Sequence, residues 1–150
     1  FIVSAFDVLL TEVVALAAFM PIIVGMGGNI GTQSSTIVIR GLATGRVNIR
    51  EAWKVIIKQF WVGIILGLSY GVAITIVVNL LYKNSGYMVG VVVGIGIFAV
   101  MVLAALIGTF APIFLDKLEI DPAIATGPFV TTSIDIVGLL LYFNIALLLL

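Results

Sequence analysis

The chain has no cysteine and no histidine among its 150 residues. Their absence removes disulfides, thiolate nucleophiles, Cys/His zinc sites and imidazole proton relays together, and with no Cys the sequence carries no mark of redox compartment. Charge is scarce as well. Charged residues make up 9% of the chain, where a soluble domain carries about 25%. Net charge is zero, so overall charge selects no partner. No Lys/Arg cluster is interleaved with aromatics, as nucleic-acid binding would ask. Hydrophobic residues supply 63% of the chain. Such a chain cannot cover itself with polar groups, so its solvent is lipid. The opening "FIVSAFDVLL" has neither Met nor a basic n-region and is not a signal peptide. It reads as a piece of a longer protein, with an upstream apolar segment ending near Phe6.

A spanning helix needs about 20 apolar residues. Residues 59–82, 87–115 and 122–150 each qualify, the last with one Asp in its middle. Residues 13–24 are too short alone. They reach spanning length only if the helix continues through "GMGGNIGTQSSTIVIR", residues 25–40, as a broken or polar-faced half. The expected fold is therefore all-α: a polytopic transmembrane helical bundle of four complete spans plus the end of an upstream one, forming a single domain. "KNSG" at 83–86 reads as a turn. Asp121 followed by Pro122 reads as an N-cap with Pro at the first helical position of the last span.

Five of the seven basic residues, Arg40, Arg46, Arg50, Lys54 and Lys58, fall between the first and second spans. The positive-inside rule makes the 41–58 loop cytoplasmic. Lys83 and the end at Leu150 then lie outside, the 116–121 loop inside, and Asp7 and Glu12 at the outer mouth of a cell-membrane protein. "RVNIREAWKVIIKQF" reads as a short amphipathic interfacial helix, with Val47, Trp53, Ile56 and Ile57 against lipid. Gly63, Gly67 and Gly71, with Gly90 and Gly94, have the spacing that lets helix backbones approach in lipid; packing inside one bundle is preferred to a dimer face.

The glycine-rich run is not a nucleotide loop. Counted from Gly25, the sixth position of a dinucleotide fingerprint is Ile30 rather than Gly, and no Gly-Lys-Ser/Thr follows. What remains is a polar stripe. Asn29, Gln33, Thr36 and Arg40 share one helical face, with Gly25, Gly28, Thr32 and Ser35 on an adjacent small one. Polar side chains at membrane depth are tolerated where they face protein or a wet cavity. The stripe serves either as interhelical glue or as the wall of a hydrophilic path. Pro21 removes one helical hydrogen bond and frees the carbonyl of Ala17.

Asp135 is the only acid deep inside a span. Placing it there costs about 2.5 to 3.5 kcal/mol on insertion scales. Thr131 and Thr132 lie one turn before it, Gly138 one turn after, and Tyr142 two turns after. Pro128, two turns before, is expected to free the carbonyl of Ile124. Asp135 is either a structural hydrogen-bonding group, a proton carrier or a cation ligand. An all-oxygen set suits a hard ion such as Mg²⁺, Ca²⁺, Na⁺ or a proton. One Asp is thin for a divalent ion, but a two-fold axis would bring two together, and a divalent cation would relieve their repulsion.

"GGNIGTQSSTIVIRGLATG", the Asp-Pro pair and "GPFVTTSIDIVGLLLYF", with the spacing between them, resemble the membrane domain of MgtE-type magnesium channels and transporters from about Asp7 to Leu150. The resemblance implies a homodimer of five-span subunits, its ion path on the dimer axis between the first complete span and the last. It implies that the family's intramembrane selectivity Asp falls on Asp135. The Asn-x-Gly-x-Gln signature falls on Asn29, Gly31 and Gln33, and the acid at the cytoplasmic end of the last helix on Asp121. Gly127-Pro128 stands where the family often has Asn-Pro, and Thr32 where it often has Asn. The family's bacterial members also carry a cytosolic Mg²⁺-sensing part, which these residues do not include. Mg²⁺ is then both transported ion and ligand, with lipid and a second copy as partners, and neither nucleotide nor nucleic acid. Two other readings are an H⁺- or Na⁺-coupled carrier with a midplane site and a non-transporting assembly subunit. An intramembrane aspartyl protease would need two close acids, and only one is deep.

Overall fold

A computed structural model describes residues 2–6, 14–48, 52–81, 87–125 and 127–150. Among these residues there is no strand. In chain order the elements are α1 (Ile2–Ala5), α2 (Val14–Ala43), α3 (Ala52–Leu81), α4 (Tyr87–Lys117), a 3₁₀ turn (Pro122–Ala125) and α5 (Pro128–Leu149). The placements expected for Asp7, Glu12, Arg50, Lys83 and the 83–86 turn lie outside the described residues.

α3, α4 and α5 are each long and apolar enough to cross a membrane. α2 matches α3 at 30 residues, about 45 Å of helix, but its polar stripe dilutes its hydropathy. It runs without interruption through Pro21 and the glycine-rich run, so the polar segment is one face of a whole helix, not a break in it.

α4 is the spine. Val92, Val93, Ile97, Val100, Met101, Ala104 and Ala105 are buried on different sides of it, because α2, α3 and α5 all pack on it. The helix on its outer flank, α3, buries Gly63, Gly67 and Gly71 against Ala105, Phe98 and Gly94. That stripe therefore serves packing within the bundle, and the remaining faces of α3 are left apolar and exposed. On the opposite flank α2 and α5 pack on α4 and on each other. The core they share includes Ile23, Ile30, Val130, Ile134, Tyr142 and Phe143.

Two boundaries differ from the sequence reading. The stretch expected to be a separate interfacial helix is, from Ala52 onward, the first turns of α3. No Gly or Pro interrupts it before Gly63. Trp53 and Ile57 do face outward, but Ile56 packs beside Val38, Ala52 and Ile113, and Val47 closes onto Gly41. Both are drawn from the lipid side by apolar partners. The last helix starts at Pro128, not Pro122. Pro122 opens only a 3₁₀ turn, whose Ala123 N–H donates to Asp121 Oδ1 at 2.9 Å. Gly127 then takes φ 56°, a left-handed conformation that favours glycine. Pro128 sits in the first turn of α5, where its missing N–H costs no helical bond. The expectation that it frees a carbonyl inside the helix is thereby corrected.

Candidate functional site: a polar groove between α2 and α5

Antiparallel packing of α2 and α5 places Gly28 against Thr131, with Gly27 and Gly31 against Ile134. A Cβ on Gly27 would meet Val100 at 2.9 Å and Ile134 at 3.0 Å, and one on Gly31 would collide with Ile134. These small residues let α2 settle onto α4 and α5. The buried face of α2 also includes Ile30, Ser34, Ser35 and Val38. It is rotated from the small face read in the sequence. Gly25 is exposed with nothing near it, and Thr32 looks into the groove.

With that face buried, the polar stripe points the other way. Asn29, Thr32, Gln33, Thr36 and Arg40 of α2, with Thr131 and Asp135 of α5, line one open groove of about 660 Å³. Val24, Gly25, Gly28 and Ile37 complete its walls. Asn29, Gln33, Thr36 and Arg40 are exposed, and Asp135 is half-buried. Arg40 lies about 18 Å beyond Gly28 along α2, so the groove carries its carboxylate and its guanidinium far apart.

Local bonds set what the walls offer. Thr36 Oγ1 donates to the Thr32 carbonyl at 2.8 Å, and Thr131 Oγ1 donates to the Gly127 carbonyl at 3.1 Å. Each hydroxyl spends its proton on its own helix, so toward the groove it presents lone pairs. Asn29 and Gln33 add amide oxygens and NH₂ groups. Acceptor oxygens around one carboxylate suit a hard cation that keeps its water shell.

Of the residues singled out from the sequence, Gly28, Asn29, Thr32, Gln33, Thr131 and Asp135 come together in the groove. Gly31 and Gly138 are packing positions behind it, Gly138 against Val100. Tyr142 is fully buried and donates to the Leu16 carbonyl at 3.1 Å. Thr132 is exposed outside the groove, and Pro128 starts the helix below it. Asp121 is exposed beside the 3₁₀ turn. Sequence reasoning missed Gly108, on whose open face the Gly31 backbone rests. Ala104-x-x-x-Gly108 is the small-residue spacing that could have revealed it. Among the described residues no group of three His, Cys, Asp or Glu side chains converges.

The family model described as "MgtE: Divalent cation transporter" matches residues 20–145, which contain the whole groove. The chain belongs to the MgtE family. It is 43% identical over 145 residues to the magnesium transporter MgtE of Bacillus subtilis, a match covering 97% of this chain and 32% of that protein. It is 37% identical over 149 residues to the magnesium transporter MgtE of Thermus thermophilus, covering 99% of the chain and 32% of that protein. Against the magnesium transporter MgtE of Enterococcus faecalis it is 36% identical over 145 residues, with 97% and 32% coverage. The chain spans about a third of the length of these relatives, and the matched part is an MgtE-family membrane domain.

Proposed function

We propose that this chain is the membrane domain of a divalent cation transporter that carries Mg²⁺ along the groove between α2 and α5, with Asp135 as the cation-recognition group. The observation that carries the reading is that Asp135 and Thr131 face the α2 stripe across one open groove. α2 is in this reading a fourth span. A stripe of Asn29, Gln33, Thr36 and Arg40 is costly against hydrocarbon, and an open groove at membrane depth asks for water or protein opposite it. A second copy related by a two-fold axis would turn two grooves into one pore and set two Asp135 carboxylates toward each other. Mg²⁺ dehydrates reluctantly. Two carboxylates amid neutral oxygens could hold it through its waters, and the ion would offset the repulsion between them. Asp121 would add negative charge at the cytoplasmic mouth, and the basic end of the bundle at Arg40, Arg46, Lys54 and Lys58 would lie in the cytoplasm of a cell-membrane protein. The relatives' name as magnesium transporters supports the choice of ion.

The test is Mg²⁺ uptake into proteoliposomes holding the full-length protein and a Mg²⁺-sensitive dye, with and without an imposed pH gradient. Uptake down the Mg²⁺ gradient alone is expected. Uptake only with a proton gradient would replace the pore with a coupled carrier, and no uptake would leave an assembly role.

A further inference from the structure

A second cavity lies at the basic end of the bundle, where α2 ends and α3 begins. It measures about 560 Å³ and is lined by Arg40, Thr44, Arg46, Lys58 and Gln59, with Ile37, Gly41, Val47 and Val55 as its apolar walls. Local folding assembles it. Gly45 takes φ 68° and turns the chain back after α2. The Val47 N–H donates to the Gly41 carbonyl at 3.0 Å, and the Val47 side chain closes onto Gly41. That return brings Arg46 to the same cavity as Arg40, while α3 contributes Lys58 from the other side.

Three cations thus share one concavity, and no carboxylate of a described residue lines it. Its floor is polar and built. Gln59 is only 3% exposed, and its Oε1 accepts the Ser34 hydroxyl at 3.3 Å. That bond orients the amide and leaves its NH₂ as a donor for the cavity. Guanidinium, ammonium and amide NH₂ are together a phosphate-recognition set. The Thr44 hydroxyl and N–H both bond the Arg40 carbonyl, at 2.8 and 3.1 Å, which holds the turn in place. The surroundings decide which phosphate. The same turns of α3 that supply Val55, Lys58 and Gln59 expose Trp53, Ile57, Phe60 and Trp61. Indole rings concentrate at headgroup level, and basic pockets between helices at that level hold anionic headgroups.

We propose that Arg40, Arg46, Lys58 and Gln59 form a binding site for the phosphate of an anionic phospholipid headgroup. The apolar walls and the exposed flank of α3 receive its acyl chains. Arg40 and Ile37 line both this cavity and the polar groove, so the bound phosphate sits beside the groove's basic end. The site does not depend on the ion that the groove carries.

Native mass spectrometry of the full-length protein tests it, with titrations of cardiolipin, of phosphatidylcholine with matched chains, and of inorganic phosphate. Cardiolipin is expected to bind tighter than phosphatidylcholine and to weaken as salt is raised. Each cation removed should cost about fivefold, so Arg46→Gln with Lys58→Gln should lose roughly twenty-five-fold. Lys117→Gln, an exposed cation that does not line the cavity, should change nothing. Arg46→Gln alone lies beyond the end of α2 and provides a second variant should the pair fail to fold. Equal cardiolipin affinity in Arg46→Gln and Lys117→Gln would overturn the proposal. So would phosphatidylcholine binding as tightly as cardiolipin, or inorganic phosphate filling the site in preference to the lipid.

Discussion

Gly108 of α4 and Gly31 of α2 touch backbone to backbone: a Cβ on Gly108 would collide with the Gly31 carbonyl oxygen and lie 2.8 Å from its carbon. No side chain could yield there, so the contact sets how close α2 comes to α4 and which way its polar stripe faces. Gly108→Ala is expected to force the helices apart and to cost about 1–3 kcal/mol, as overpacking does. Gly25 has nothing within 4 Å of its would-be Cβ. Gly25→Ala should be neutral or stabilising by roughly 0.5–1 kcal/mol. Unfolding of both variants in the same detergent checks the contrast; equal losses would mean that the close approach is not what holds α2.

Tyr142 of α5 ties the other end of α2. Its hydroxyl donates to the Leu16 carbonyl while its neighbour Phe143 stacks on Phe6 at 4.8 Å. Tyr142→Phe keeps the ring and removes the bond. The expected loss of stability is about 0.6 kcal/mol, at most about 1.7, the range of interhelical bonds in lipid. Thermal unfolding of the variant measures it, and an unchanged midpoint would assign the residue's value to its ring alone.

Asp135 is the decisive substitution for the transport reading. Asp135→Asn keeps size and hydrogen bonding but not charge, and it is expected to abolish Mg²⁺ flux or its discrimination while the protein stays folded. Asp135→Glu should retain part of the flux with altered selectivity, because the charge moves by one methylene. Dye-reported uptake with matched expression is the measurement. Parent-rate, parent-selectivity flux in Asp135→Asn would falsify the assignment.

The turn after α2 reports topology. With Arg40, Arg46, Lys54 and Lys58 around it, cysteine placed at Asn48 should react with an impermeant thiol reagent only from the cytoplasmic side. The chain has no native cysteine, so the label reads that position alone. Labelling from outside would invert every span.

The sequence by itself determined the solvent, the all-helical class and the central stretch of each long apolar helix, but not where α3 and α5 begin. These follow from local quantities: hydropathy summed over about 20 residues and the missing alternative for a backbone in lipid. It also determined that Asn29, Gln33, Thr36 and Arg40 share a face, since that is helical geometry alone. The partner of that face was decided by tertiary structure. A helix carries its small residues in several directions, and only packing chose Gly27 and Gly31 over Gly25 as the side that settles on α4 and α5. The same choice separated residues that α5 places one turn apart: Thr131 and Asp135 line the groove, whereas Gly138 turns to Val100 and Tyr142 to Leu16. Apolar partners likewise drew Ile56 toward Val38 and Ile113, where the periodicity of its own segment pointed to lipid. A single chain specifies which of its faces can be buried; which one is buried depends on the shape of the neighbour, and that shape belongs to a different part of the chain.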